Sequence, residues 1–352
     1  MHPQASIRRL LKSTTVADIH AALGQVDAQT AASLLDGIAV DDAGALVLSR
    51  FLTSGDTARP YRTYAAVHLL HRAGDALADV RATLRRLSLR FASQEPAALD
   101  LSPLSAFPAL AVLSLTNAAG VTSLPELPAL TALDLRDATG LNIAEALTRP
   151  LRSLTLARVP LDDAAMAALG AQMGLQQLTL RGCAGVADLA MIAALRGLKV
   201  LRLEDCPDLN DASAMPTLTG LSELRLSGLS DAVKAVNVEG LHGLVTLSAP
   251  GLRVEGMLNA PDLSTLRCHQ VQQENSLTKS LQLRTVSIHL WRSGDLRVFQ
   301  KNSALETLSL HEAHGLIDLS ALSGLSALST VHIGDAKALV ELSPLAELEG
   351  LE

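Results

Sequence analysis

From Leu305 to Leu328 the chain reads LETLSLHEAHGLIDLSALSGLSAL, and from Leu328 to Leu351 it reads LSTVHIGDAKALVELSPLAELEGL. The apolar positions superpose. Leu305, Leu308 and Leu310 fall on Leu328, Val331 and Ile333, and Leu316, Leu319, Leu322 and Leu325 fall on Leu339, Leu342, Leu345 and Leu348. A repeat of about 23 residues is the mark of a solenoid. The opening L-x-x-L-x-L alternates apolar and polar positions, which predicts a short strand with its leucines turned inward and the intervening side chains on the opposite face. The same frame can be traced back to Leu84 through Leu110, Leu130, Leu151, Leu175, Leu198, Leu221, Leu244, Leu263 and Leu283, about twelve coils spaced 19 to 26 residues apart. One coil has no interior in which to bury its own leucines. Stacking removes them from water, at roughly 1.5 to 3 kcal/mol for each side chain, so the array is the folding unit.

A second segment follows each strand: CAGVADL at 183–189, CPDLNDA at 206–212, AHGLIDL at 313–319 and AKALVEL at 336–342. Asp188, Asp211, Asp318 and Glu341 form one column just ahead of a short apolar stretch, where a carboxylate accepts hydrogen bonds from free backbone amides. Residues 161–174 read as longer and more helical, and the coils opening at Leu244 and Leu263 are short, so curvature is expected to change there. Residues 1–80 lack the repeat. Ile7, Leu10 and Leu11 recur at helical spacing, as do Val16, Ile19 and Leu23 behind a cap at Thr14 or Thr15, and Pro60 opens a further helix. The expected organisation is a helical N-terminal cap domain over 1–80, with a small docking domain having its own partner as the alternative, followed by a repeat array over 81–352. Glu352 follows the first leucine of another coil, so either a longer natural chain or self-association through that uncapped edge is expected.

The coils resemble leucine-rich repeats of the bacterial internalin type and the related SDS22-like subclass, whose turns read L-x-x-L-x-L-x-x-N-x-I-x-D-L-x-x-L. The resemblance covers about Leu84 to Glu352 and implies an α/β solenoid with a parallel, concave sheet. The chain departs from that pattern at the asparagine column, which here holds Ala118, Ala138, Val159, Cys183, Cys206, Leu229, Leu252, Val271, Trp291, Ala313 and Ala336. The ladder of asparagine amides that satisfies backbone groups in that family is therefore missing. Leucine-rich arrays also form the sensor end of larger signalling ATPases. No GxxxxGK[ST] is present, so such a motor would lie outside this sequence.

Composition narrows the function. Apolar residues make up 48% of the 352 residues but aromatics only 2%, so the core is aliphatic. A net charge of -7 argues against a general nucleic-acid binder. Three cysteines give no disulfide framework. The N-terminus lacks the apolar core of a signal peptide and no apolar run approaches the roughly 18 residues of a membrane span, so a cytoplasmic protein without membrane contact is expected.

Catalytic motifs do not accumulate: there is no GxSxG, GxGxxG or CxxC. His311 and His314 stand three apart where a strand meets a loop, not four apart on a helix as in HExxH. Cys268 and His269 are neighbours, but alternation sends them to opposite faces. Cys183 and Cys206 share one column of adjacent coils, which suits a pair of reduced core thiols. Neither catalytic residues, a cofactor nor a metal site is expected. The outward face carries the candidate chemistry. Arg136, Arg158, Arg181, Arg202, Arg225 and Arg267 crowd it, with Arg85, Arg86, Arg90, Arg152 and Arg284 assigned to the same face. Asp134, Asp137, Glu204, Asp205 and Glu223 share it, so the face reads either as a charge ladder or as a basic groove. His269, His289 and His311 hold one outward position in successive coils, with His332 two residues earlier in the next. With few aromatics to stack bases, nucleic acid is the weaker partner. The expected function is docking of a protein partner on this arginine and histidine face. A sensor array of a larger signalling or defence NTPase and an anion or nucleic-acid binder are the alternatives.

Overall fold

The computed structural model describes residues 82–91, 101–256, 258–348 and 350–351. The cap domain expected over 1–80 lies outside the described residues. Two units are distinguished, Met1–Pro160 and Leu161–Glu352, a division inside the repeat region.

In the first unit, β1 (Arg86–Arg90), β2 (Val112–Thr116), β3 (Ala132–Arg136) and β4 (Ser153–Ala157) form a parallel ladder. Leu87, Leu113, Leu133 and Leu154 lie in one row, and Leu89, Leu115, Leu135 and Leu156 in the next. All eight are buried. A single-turn helix, α1 (Ile143–Ala146), returns the chain behind β3, and the Asn142 side chain caps it by accepting from Glu145 N at 3.1 Å.

The second unit opens with α2 (Asp163–Gly170), the helix predicted for 161–174. Asp162 caps it, accepting from Ala165 N at 2.8 Å. Parallel strands then follow in chain order: β5 (Gln177–Arg181), β6 (Val200–Glu204), β7 (Glu223–Ser227), β9 (Thr246–Glu255), β10 (Thr265–Val271), β11 (Thr285–Leu290), β12 (Thr307–Glu312) and β13 (Thr330–Ile333). β8 (Ala235–Asn237) lies to one side and pairs with β9. Short 3-10 turns, such as Ala190–Ile192 and Ser320–Leu322, form the return side of most coils. Asp188 and Asp318 accept from the first amides of two such turns, Ala190 N and Ser320 N, each at 2.8 Å, while Asp211 accepts from Ser213 N at 2.7 Å, two residues ahead of the turn at Met215–Thr217. Glu341 departs from the column, since it accepts from the Ser343 hydroxyl at 2.6 Å.

The absent asparagine ladder is replaced by backbone. The residue just before the column takes a left-handed conformation in Asn117, Asp137, Arg158, Gly182 and Asp205, with φ of 57, 55, 53, 59 and 53°. Asparagine, aspartate and glycine tolerate that region best. The turn carries exit amides to the neighbouring strand, as in Asp137 N to Ala157 O at 2.9 Å and Asp205 N to Ser227 O at 2.9 Å. Column carbonyls accept from the amide three residues on, as in Val121 N to Ala118 O at 3.0 Å and Leu316 N to Ala313 O at 3.0 Å. With those groups satisfied, the column accepts apolar side chains of different size, from Ala118 to Cys206.

The two short coils depart from the regular ladder. β9 runs ten residues, and its second half builds an extra parallel ladder that pairs Arg253 and Val254 with Ala235 and Val236 on one side and with Gln270 and Val271 on the other. A register shift between Cys268 and Gln270 in β10 makes the join.

Leu203 is 0% exposed and stands in register with Leu180 and Leu226. Leu203→Ala is expected to cost about 2 to 5 kcal/mol, read as a lower urea midpoint in circular dichroism. Asn302 is also 0% exposed, and neither side-chain polar atom has a hydrogen-bonding partner among the described residues. It occupies the position, three before the opening leucine, that Leu195, Leu218 and Leu325 take in other coils. Asn302→Leu is therefore expected to raise the same midpoint, by about 1 to 3 kcal/mol of relieved desolvation.

Candidate functional site: the outward face of the strands

Alternation leaves three outward columns on each ladder, and the structure places the candidate residues on them unit by unit. In the first unit Arg136 closes β3 and meets Asp134 of its own strand through two nitrogens, each at 3.1 Å. Arg158, just past β4, grips Asp137 of the preceding coil in a two-pronged pair at 2.6 and 2.7 Å. That grip compensates its left-handed backbone. Arg85 and Arg152 lie just before β1 and β4, and in the second unit Arg284 lies just before β11, so these three flank the strands.

In the second unit Arg181 approaches Glu204 at 3.5 Å and Asp205 at 3.9 Å. Arg202 and Arg225 are register neighbours, and both donate to one oxygen of Glu223, at 2.7 and 2.6 Å. The Glu223 side chain is only 20% exposed. The Arg202 hydrogen bond holds its carboxyl below the usual glutamate range; burial opposes the shift and Arg225 adds to it. Arg267 differs from these. It is exposed, its register neighbours are Ser248 and Ser287, and its guanidinium meets no carboxylate among the described residues. Five of the six candidate arginines are thus neutralised within the protein.

The four histidines come together. Ring centroids lie 5.1 Å apart for His269 and His289, 5.6 Å for His289 and His311, and 5.1 Å for His311 and His332. His289 Nε2 stands 3.2 Å from a Glu312 oxygen, and His311 Nε2 stands 3.2 Å from the Ser309 hydroxyl. His314, one turn beyond, is held to the Asp335 carbonyl at 2.9 Å. Beside the histidines runs a column that the charge-based reading passed over: Thr265, Thr285, Thr307 and Thr330, with Thr246 next to Thr265, stand rung on rung. Aligning the coils exposes it as the residue before the second leucine of each strand.

Neither a protein-family profile nor a curated protein sequence matches the chain. Solved structures do. The functional domain of InlJ from Listeria monocytogenes, described as including a cysteine ladder, aligns over 77% of this chain and 58% of its own at 17% identity, with a TM-score of 0.54. The fold is a leucine-rich-repeat solenoid. The internalin InlF of Listeria monocytogenes (15% identity, 81% of this chain and 91% of that one, TM-score 0.48) and a leucine-rich-repeat protein of Leptospira interrogans (15%, 78% and 84%, 0.41) are also similar.

The repeat leaves its thiols inside. Cys183 and Cys206 fill the same buried column position of successive coils, and no disulfide joins any of the three cysteines. Cys206 is pushed up to about 11, chiefly by burial, and its Sγ faces the Glu204 carbonyl at 3.5 Å. Cys268 is pushed up to about 12 by burial alone, and it points inward while His269 points outward, so the two do not form a nucleophile and base. A depression of about 570 Å³ opens beside the end of β10, lined by Gln270, Gln272, Gln273 and Arg292 among others. Glu274 stands in its wall, accepting from Arg292 N at 3.0 Å, and burial raises its carboxyl. No helix among the described residues is long and apolar enough to cross a membrane.

Glu223→Gln would leave Arg202 and Arg225 side by side with no shared carboxylate. The wild type is expected to exceed it in stability by about 1 kcal/mol near neutral pH, the upper end for a partly exposed pair. Because the folded carboxyl titrates below the ordinary value of about 4.3, that difference is fully present above this value and lost as pH falls through the lower folded one. Urea unfolding of both proteins at pH 7 and pH 3 checks it.

Proposed function

We propose that this chain is a protein-interaction module that docks a protein partner on the outward face of its strands and performs no chemistry of its own. One observation carries the reading. The sheet presents ordered columns of exposed polar side chains on a scaffold whose inward rows are buried apolar side chains, mostly leucine, while its thiols lie on the buried side. A rigid backbone that fixes side chains at about 4.8 Å intervals spends little conformational entropy when a partner docks. The arginine–carboxylate pairs of β3, β6 and β7 serve such a surface by setting register and excluding unsuitable charge, more than by adding affinity. The strongest contacts then belong to groups not already satisfied internally, which favours the column of Ser248, Arg267 and Ser287 over the paired stretch.

The reading is tested by affinity capture from host lysate with three full-length proteins: wild type, a strand-face variant carrying Ser248→Glu and Arg267→Glu, and a return-side control carrying Lys301→Glu. One specific protein is expected with the wild type and the control and at least about tenfold less with the strand-face variant. Equal capture by all three removes the strand face from the function.

A further inference from the structure

The outward arginines of β3, β5, β6 and β7 each face a carboxylate, and Arg253 of β9 is paired with Glu255 of its own strand. That compensation lapses at β10. Arg267 stands between two serines, and two residues further along the same side of the strand His269 begins the histidine file. The charged groups around the file are few. Glu312 lies against His289, Arg284 and Glu306 pair with each other at 2.6 Å before the strands, and beyond β13 the carbonyl of Asp335 is engaged by His314. Each imidazole that takes up a proton adds a positive charge, so the protonated strip carries up to four, with Glu312 the carboxylate in contact among the described residues.

We infer that Arg267, His269, His289, His311 and His332 form a docking strip for an acidic helix of the partner protein, carrying one carboxylate per helical turn, engaged when the imidazoles are protonated. The inference rests on the docking reading above. Two independent features support it. The first is electrostatic: neighbouring imidazolium rings 5.1 to 5.6 Å apart repel each other, and a row of carboxylates relieves that repulsion. Proton uptake and helix binding therefore strengthen each other by the same factor. The second is the repeat. An α-helix advances about 5.4 Å per turn, and side chains at i and i+4 stand about 5 to 6 Å apart, which stays in step with the ring file. An extended strand repeats its side chains on one face every two residues, about 6.6 to 6.8 Å, and falls out of step by more than 1 Å at each rung.

The probe is a fluorescein-labelled, lactam-stapled alanine-rich helix with glutamates at i, i+4, i+7 and i+11. A second helix of identical composition carries its glutamates spread around the axis. Binding to the full-length chain is followed by fluorescence anisotropy at about pH 5.5 and pH 7.5, at constant ionic strength. The striped helix is expected to bind at least about tenfold more tightly at the lower pH, and the spread helix to bind weakly at both. His289→Asn with His311→Asn is expected to abolish the pH dependence. His289→Lys with His311→Lys is expected to carry the tighter binding up to pH 7.5, with unchanged circular dichroism in both variants. No binding, equal affinity at the two pH values, equal binding of the two helices, an indifferent asparagine variant, or tighter binding of a single-stranded RNA oligonucleotide overturns the inference. Capture of a lysate partner that depends on Arg267 but not on pH also overturns it while leaving the docking reading intact. A pH-dependent striped-helix complex beside a lysate partner indifferent to Arg267 overturns the docking reading, and with it the assignment of the helix to that partner.

Discussion

Leucine stacked on leucine across parallel strands, one rung every 4.8 Å or so, is the contact on which everything else in this protein depends. Each coil offers half an interior and its neighbour supplies the other half, so the inward rows stay apolar: Leu178, Leu201, Leu224 and Leu247 repeat the same side chain in register, and Ala249, Cys268 and Ile288 are the departures a neighbouring row accepts. The outward columns carry no such obligation. Since the ladder holds whatever they contain, they can hold paired arginines on one stretch and threonines, serines and histidines on another. The scaffold also explains why its own cysteines are inert, because they occupy rows whose purpose is exclusion of water.

Much of this was readable before the fold was seen, and the reason is periodicity. The match of Leu308 and Leu310 with Val331 and Ile333 in the sequence is the register of β12 and β13. Alternation alone separated Cys268 from His269 and aligned the histidine rings, and the expected carboxylate column meets free amides at Asp188, Asp211 and Asp318, those of Asp188 and Asp318 being the first of a return turn. What stayed hidden depends on pairings between coils. Nothing local announces that Glu223 will serve Arg202, 21 residues away, as well as Arg225 on its own strand. The face therefore reads as more basic in sequence than it is in space. The second ladder of β8, β9 and β10 was equally obscure, because a short coil signals only that the return is shortened, and a three-residue strand such as Ala235–Asn237 has too little pattern to be recognised.

The substitution of backbone turns for asparagine amides links these observations. A left-handed residue at the strand exit carries amides to the next coil, and the side chain that follows is freed from hydrogen bonding. That freedom is visible as Ala118, Val159 and Cys206 in equivalent places. It also places Arg158 in a conformation arginine seldom adopts, with its guanidinium anchored on Asp137.

Trp291 is the one tryptophan of the chain. It is 1% exposed and its ring centroid lies 5.5 Å from that of Phe299. In a molecule built of near-identical coils, whose melting can proceed piecemeal, this places a single native fluorophore at a known rung. Its emission reports whether the coil between β11 and β12 is intact and is blind to the ladder of β1 to β4, whereas far-ultraviolet dichroism averages over every coil. Comparing the two signals during unfolding distinguishes fraying of one region from collapse of the whole, with no label introduced.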